Sequence, residues 1–142
     1  CADLFEIISK KSPRLIEKTL VGLVDNTIIP QKQCAEGVCM ANKLTKEETL
    51  IDWSKPAQEI HNLVRGIYKS PSAYFVYNGK IIKVLETCVV KEQGKCGEFV
   101  RFGKDGIQVG CGQDSIKLIR VKPEGKGEML AKDWANGLHL KN

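Results

Sequence analysis

Six cysteines and two histidines are the residues of this 142-residue chain best suited to nucleophilic or metal chemistry. No Cys-x-x-Cys occurs. Cys34 and Cys39 have four residues between them and no matching second pair, so a zinc site is not expected. A Cys/His enzyme is not expected, because no nucleophile–base spacing can be read. His61 falls on the outer side of an expected helix and His139 in the tail. The expectation is therefore no catalytic residue and no metal site. The irregular cysteine spacing, without an export leader, fits reduced thiols in the cytoplasm. Cys88 and Cys111 fall in strand-like runs and are expected to pack as small hydrophobes.

The remaining chemistry is that of charge. Lysine and arginine number 22 against 17 acidic residues, for a net charge of +5 and a pI near 8.9. This mild excess suits a phosphate-bearing partner and equally suits an ordinary solvated surface. No apolar run approaches the ~18 residues of a membrane span, and no basic leader with an apolar stretch opens the chain. It begins at Cys1 rather than methionine, which suggests a processed or truncated chain.

The charges must be placed by an α+β framework. Leu4, Phe5 and Ile8, then Leu15, Ile16, Leu20, Leu23 and Val24, repeat at helical spacing. Ser12 followed by Pro13 reads as a cap and first turn, so a helix pair is expected over residues 1–25. Its apolar stripe calls for a larger partner, and left alone it favours self-association. Residues 26–53 lose periodicity and read as a linker. Ser54 is expected to cap a helix whose Ala57, Ile60, Leu63, Val64 and Ile67 share one face, ending near Gly66. After Pro71 the period becomes two. Asn78-Gly79 marks a hairpin, and Gly-rich turns, Gly-Lys-Asp-Gly among them, separate further short runs. A small open β-barrel of the OB type, about five to six strands, is expected within residues 54–142. A short helix ending at Gly137 closes the chain.

This order of pieces resembles the C-terminal half of the methionyl-tRNA formyltransferase family. The residues that carry the resemblance are "KLTKEETLIDWS" at 43–54, "EIHNLVRG" at 59–66 and "KPEGKGEMLAKDWANG" at 122–137, with "IIPQ" at 28–31 at the start of the linker. The resemblance implies transfer of a formyl group from 10-formyltetrahydrofolate to the amine of methionyl initiator tRNA. The catalysis would reside in a Rossmann-like domain bearing Asn-x-His and Asp-x-Gly. Neither motif occurs here, so this chain alone should not catalyse the reaction, and the folate is a co-substrate of the intact enzyme only. Residues 1–25 would be the terminal helices of that domain, and 54–142 the tRNA-binding barrel of a monomer.

By the same resemblance, Lys43, Lys46, Arg65 and Lys126 match basic positions and are the candidate tRNA contacts. The reading that stands beside it for each is a solvated surface charge. Tyr74, Phe75 and Tyr77 could stack on unpaired bases, although strand alternation must send some of them into the core. The chain departs from the family at Ser70 and Ser72, beside Pro71, and at Met40, Gly127 and Leu130, the last replacing a helix-capping serine. Two other readings share the framework: a stand-alone OB-type RNA-binding module, and the C-terminal domain of a sugar-nucleotide formyltransferase. Ile51 and Trp53 flank Asp52, so they are expected to press one side of the linker's end onto the barrel.

Overall fold

The computed structural model describes residues 2–67, 71–103 and 106–138. Cys1, Ser70, Lys104 and Asp105 of an expected turn, and His139 lie outside them. The chain forms two compact units, Cys1–Lys43 and Leu44–Asn142.

In the first unit a single helix, α1, runs from Ala2 to Val24. The expected pair is one helix because Ser12 does not act as a cap. Its hydroxyl donates to the Ile8 carbonyl at 2.8 Å, one turn back, and Pro13 sits inside the helix. Proline removes one backbone donor and crowds the Ser9 carbonyl, yet the turns on either side persist. Asn26 ends α1 with a φ of 57°. The N–H groups of Thr27 and Ile28 then fold back to the Gly22 carbonyl at 2.9 and 3.0 Å. A Cβ at residue 22 would lie 2.6 Å from Ile28 Cδ1, so Gly22 lets the Ile28 side chain lie against the helix. Leu4, Leu15, Ile16 and Leu20 are exposed.

The second unit opens with a reciprocal box. The Thr45 N–H donates to Glu48 Oε2 at 2.7 Å, and the Glu48 N–H donates to Thr45 Oγ1 at 3.4 Å. This pattern satisfies amides that a helix start leaves unpaired, and a short 3-10 turn follows over Glu47–Thr49. Thr49 and Ile51 are buried, and Asp52 is exposed. Residues 44–53, expected as the end of the linker, thus lie within this unit. Ser54 does not cap the next helix. Its N–H and hydroxyl both donate to Asp52 Oδ1, at 3.0 and 2.6 Å. Helix α2 runs from Ala57 to Gly66 with Pro56 at the N-cap and no side-chain cap.

Six strands follow: β1 (Tyr74–Tyr77), β2 (Lys80–Val90), β3 (Phe99–Gly103), β4 (Gly106–Gly110), β5 (Ser115–Pro123) and β6 (Met129–Leu130). Helix α3 (Ala131–Gly137) ends the described chain, with Leu130 as an N-cap that makes no side-chain bond. The strands form one open antiparallel sheet ordered β1-β2-β5-β4-β3, with β6 on β5. Asn78 and Gly79, with φ of 48° and 75°, make the β1–β2 turn that the sequence predicts. Edge strands β1 and β3 share no ladder, but Tyr77 and Phe99 meet with ring centroids 5.2 Å apart. The sheet therefore curls until its edges touch through side chains.

Its inner face carries Phe75, Ile82, Val84, Ile107, Val109, Ile116, Leu118 and Val121, all buried with Ile60 and Val64 of α2 and Trp134 of α3. Trp53 packs edge-on to Phe75 at 5.4 Å, and Phe75 in turn to Trp134 at 6.0 Å. The β2–β5 ladder shifts register twice, between Val84 and Glu86 and between Glu86 and Thr87. The first shift makes Leu85 an extra residue on β2 and the second makes Ile119 an extra residue on β5. Such bulges increase local twist and break the alternation of faces.

Two side chains depart from expectation here. Cys88 is exposed rather than packed, opposite Lys117, because the bulge at Leu85 turns it to the outer face. His61 is half-buried rather than solvated, its Nδ1 2.8 Å from Thr87 Oγ1. Cys111 is buried as expected, and Cys34, Cys39, Cys88 and Cys96 are free and exposed.

Candidate nucleic-acid interface

Because inner positions of the sheet are apolar, its charge collects on the outer face. Register places Tyr74 of β1, Lys83 of β2 and Lys122 of β5 side by side in one row. Neighbouring strands lie about 4.8 Å apart, so the two lysines leave the sheet from adjacent backbone positions. Lys46 extends the row, its Nζ 5.8 Å from the Tyr74 ring centroid. At that range the ring's negative face attracts the cation. Past Lys122, the turn holding Gly125 (φ 72°) brings Lys126 round, its N–H donating to the Pro123 carbonyl at 3.0 Å. Among the described residues, Lys46, Lys83, Lys122 and Lys126 take part in no ion pair.

A recess of about 240 Å³ lies beside the row, lined by Ile81, Lys83, Lys122, Pro123, Glu124, Gly125 and Lys126. Its one carboxylate is engaged: Glu124 Oε2 accepts from the Ile81 N–H at 3.1 Å, while the Glu124 N–H donates to the Ile81 carbonyl at 2.9 Å.

The opposite end of the outer face is compensated. There Arg101 Nη2 donates to Glu92 Oε1 at 3.3 Å, and Gln108 Nε2 to Glu92 Oε2 at 3.0 Å. Lys117 shares this second recess, of about 230 Å³. Arg120 pairs with Glu86 at 3.8 Å between the two ends.

Of the expected contacts, Lys46 and Lys126 flank the row. Arg65 lies in the last turn of α2, which covers the inner face, so the row does not include it. Lys43 is the last residue of the first unit and is exposed. Among the expected stacking residues, Phe75 is buried and Tyr77 packs against the core, which leaves Tyr74 on the outer face. Sequence reasoning missed Lys83 and Lys122. Their signal is the lysine flanking each buried residue in "KIIKV" and "RVKP", and strand pairing alone joins them.

The described residues hold no group of three or more His, Cys, Asp or Glu side chains able to bind a metal ion. Asp52 is held below the usual carboxylate range, first by the Ser54 hydroxyl and then by its N–H. It anchors a turn and does not titrate near neutrality. What the outer face can do is bind phosphate through uncompensated ammonium groups beside an aromatic ring.

The family model of the formyl transferase C-terminal domain matches residues 43–139. The chain belongs to this family. Methionyl-tRNA formyltransferase of Bacillus licheniformis is 38% identical over 140 residues, covering 96% of this chain and 44% of that protein. The enzyme of Geobacter metallireducens is 38% identical over 138 residues, covering 97% and 44%. This formyl transferase chain thus spans less than half the length of the curated relatives it matches. Among solved structures, an Aquifex aeolicus HypX variant superposes with a TM-score of 0.71 over 87% of this chain and 22% of its own, at 14% identity. HypX from the same organism in complex with tetrahydrofolic acid gives 0.68 over 84% and 22%, also at 14% identity. These likenesses show the fold. No helix among the described residues is long and apolar enough to cross a membrane.

Proposed function

We propose that this formyl transferase domain is the tRNA-binding part of a cytoplasmic methionyl-tRNA formyltransferase. The intact enzyme would pass a formyl group from 10-formyltetrahydrofolate to the amine of methionyl initiator tRNA. The signature residues for that chemistry, Asn-x-His and Asp-x-Gly, occur nowhere in these 142 residues, so the chain contributes binding and no catalytic group. Residues 1–25 then belong to the end of the catalytic domain, their apolar stripe docking on it in a monomeric enzyme. Residues 26–43 are the link between the two, and 44–142 an OB-like binding module.

The observation that carries this reading is the row Lys46–Tyr74–Lys83–Lys122–Lys126 on the outer face of the sheet. Among the described residues its ammonium groups have no carboxylate partner, so desolvating them against phosphate breaks no pair seen there. Lys43 and Arg65 add to the long-range positive field around it.

Binding of initiator tRNA to this chain, followed by fluorescence anisotropy across a salt series, tests the reading. The expected outcome is weak binding with a steep fall in log K against log salt. Binding that ignores salt, or none at low ionic strength, overturns it. A chain that binds unrelated single-stranded RNA as well as initiator tRNA would instead be a general RNA-binding module.

A further inference from the structure

We propose that the recess beside Lys83, Lys122 and Lys126 is a subsite for one unpaired nucleotide, phosphate on the lysines and base on the neighbouring apolar strip. This rests on the tRNA-binding reading and narrows it to a feature of the RNA.

The recess is bipartite. Three lysines stand on its rim, and Ile81 and Pro123 contribute its apolar surface. Its volume of about 240 Å³ is less than the roughly 300 Å³ at which pockets begin to enclose a whole ligand. It suits a phosphate and the edge of a ribose, with the base left outside. Immediately beside it, Val76 is the register partner of Ile81 on the outer face, and Val76 is 56% exposed. One row further along lies Tyr74, beside Lys83. A base leaving the recess over β1 therefore meets Val76 and then a tyrosine ring.

This apolar strip decides between single-stranded and duplex RNA. A duplex keeps the flat faces of its bases stacked and offers sugars, phosphates and base edges, to which an apolar strip adds nothing. An unpaired base brings a flat apolar face that gains from contact with aliphatic and aromatic side chains. Glu124 reinforces the choice. Its bonds to both backbone groups of Ile81 fix the floor against the Gly125 turn, so the recess is preformed.

The test uses the full chain, labelled with nitrogen-15 and titrated separately with cytidine 5′-monophosphate, cytidine, inorganic phosphate and a blunt RNA duplex. The nucleotide is expected to bind at least tenfold more tightly than phosphate or cytidine alone, and to shift the amides of Ile81, Gly125 and Lys126. Val76→Ser, at an exposed position, should reduce nucleotide affinity towards that of phosphate and leave phosphate binding unchanged. Lys126→Ala should weaken both. Equal affinity for phosphate and nucleotide, or a blunt duplex that displaces the nucleotide as well as unlabelled nucleotide does, overturns this subsite even if initiator tRNA still binds with a steep salt dependence. Loss of all tRNA binding by the unmodified chain would instead sink the broader reading.

Discussion

Along β5 the two faces of one strand do different work. Ile116, Leu118 and Val121 point inward and are fully covered, while Lys117, Arg120 and Lys122 stand on the outer side with access to solvent. The inner side is largely apolar and closely packed, so removing atoms there leaves a cavity. On the outer side the cations touch little, and removing one changes the field and not the packing. Stability and recognition are thus encoded in interleaved but separable residues.

The inner face is most vulnerable at Leu118, which is fully buried. Leu118→Ala should cost about 3 kcal/mol of stability in urea titrations, from lost burial and the cavity left behind. The fraction still folded should bind tRNA as before. Trp53→Ala follows, at about 2 kcal/mol, because the indole is half-buried and meets Phe75 edge-on. An unchanged melting temperature with lost tRNA binding would move Trp53 to the recognition set.

The two faces also differ in thiol chemistry. Burial pushes the Cys111 thiol up to about 11, whereas Cys88 is exposed on the outer face. Native protein at pH 8 should let iodoacetamide label Cys88 while Cys111 waits for unfolding. The sign of the pH effect follows. A folded-state value above the unfolded one stabilises fully below the ordinary thiol range, near 8.5, and that contribution is lost as pH rises through about 11. Urea midpoints should decline over this window less in Cys111→Ala than in the parent.

On the outer face, Lys83→Ala combined with Lys122→Ala should leave the melting temperature in place and reduce the salt slope of tRNA binding by roughly 1.5. Arg101→Ala should do least, within about 1 kcal/mol of stability and with little change in tRNA affinity. Arg101 already faces Glu92 in an exposed pair. A larger loss of affinity from Arg101 than from the two lysines would reverse the assignment of the two ends.

Local chemistry made much of this architecture legible. Asn78-Gly79 can hardly be anything but a tight turn, and the apolar face of α2 reads directly from residues 57–67. The inward pair Ile51 and Trp53 was legible too, since alternation about Asp52 needs only three residues. Longer alternation failed. In β2, Ile82 and Val84 point inward, and a period of two carries the same assignment to Cys88. The bulge at Leu85 breaks the count, and Cys88 faces out. In β5 the bulge at Ile119 likewise hides that Lys117 and Lys122 share a face. Ser12 and Ser54 misled for a different reason. A serine hydroxyl can bond a preceding carbonyl or carboxylate as readily as a helix amide, and it does so at both positions. Lys83 and Lys122 became partners only through a pairing between residues 39 positions apart, which no local pattern records.

The facing bulges at Leu85 and Ile119 have an evolutionary consequence. From Ile82 to Val90, β2 spans as many residues as β5 does from Ser115 to Pro123, because each strand carries one extra residue. Losing one alone would displace the strand ends by a residue, about 3.3 Å, and pull the Asn78-Gly79 hairpin away from the Gly125 turn. Losing both would restore the match. Single-residue insertions and deletions in this part of the family should therefore be inherited in pairs, one on each strand, around the Glu86–Arg120 pair.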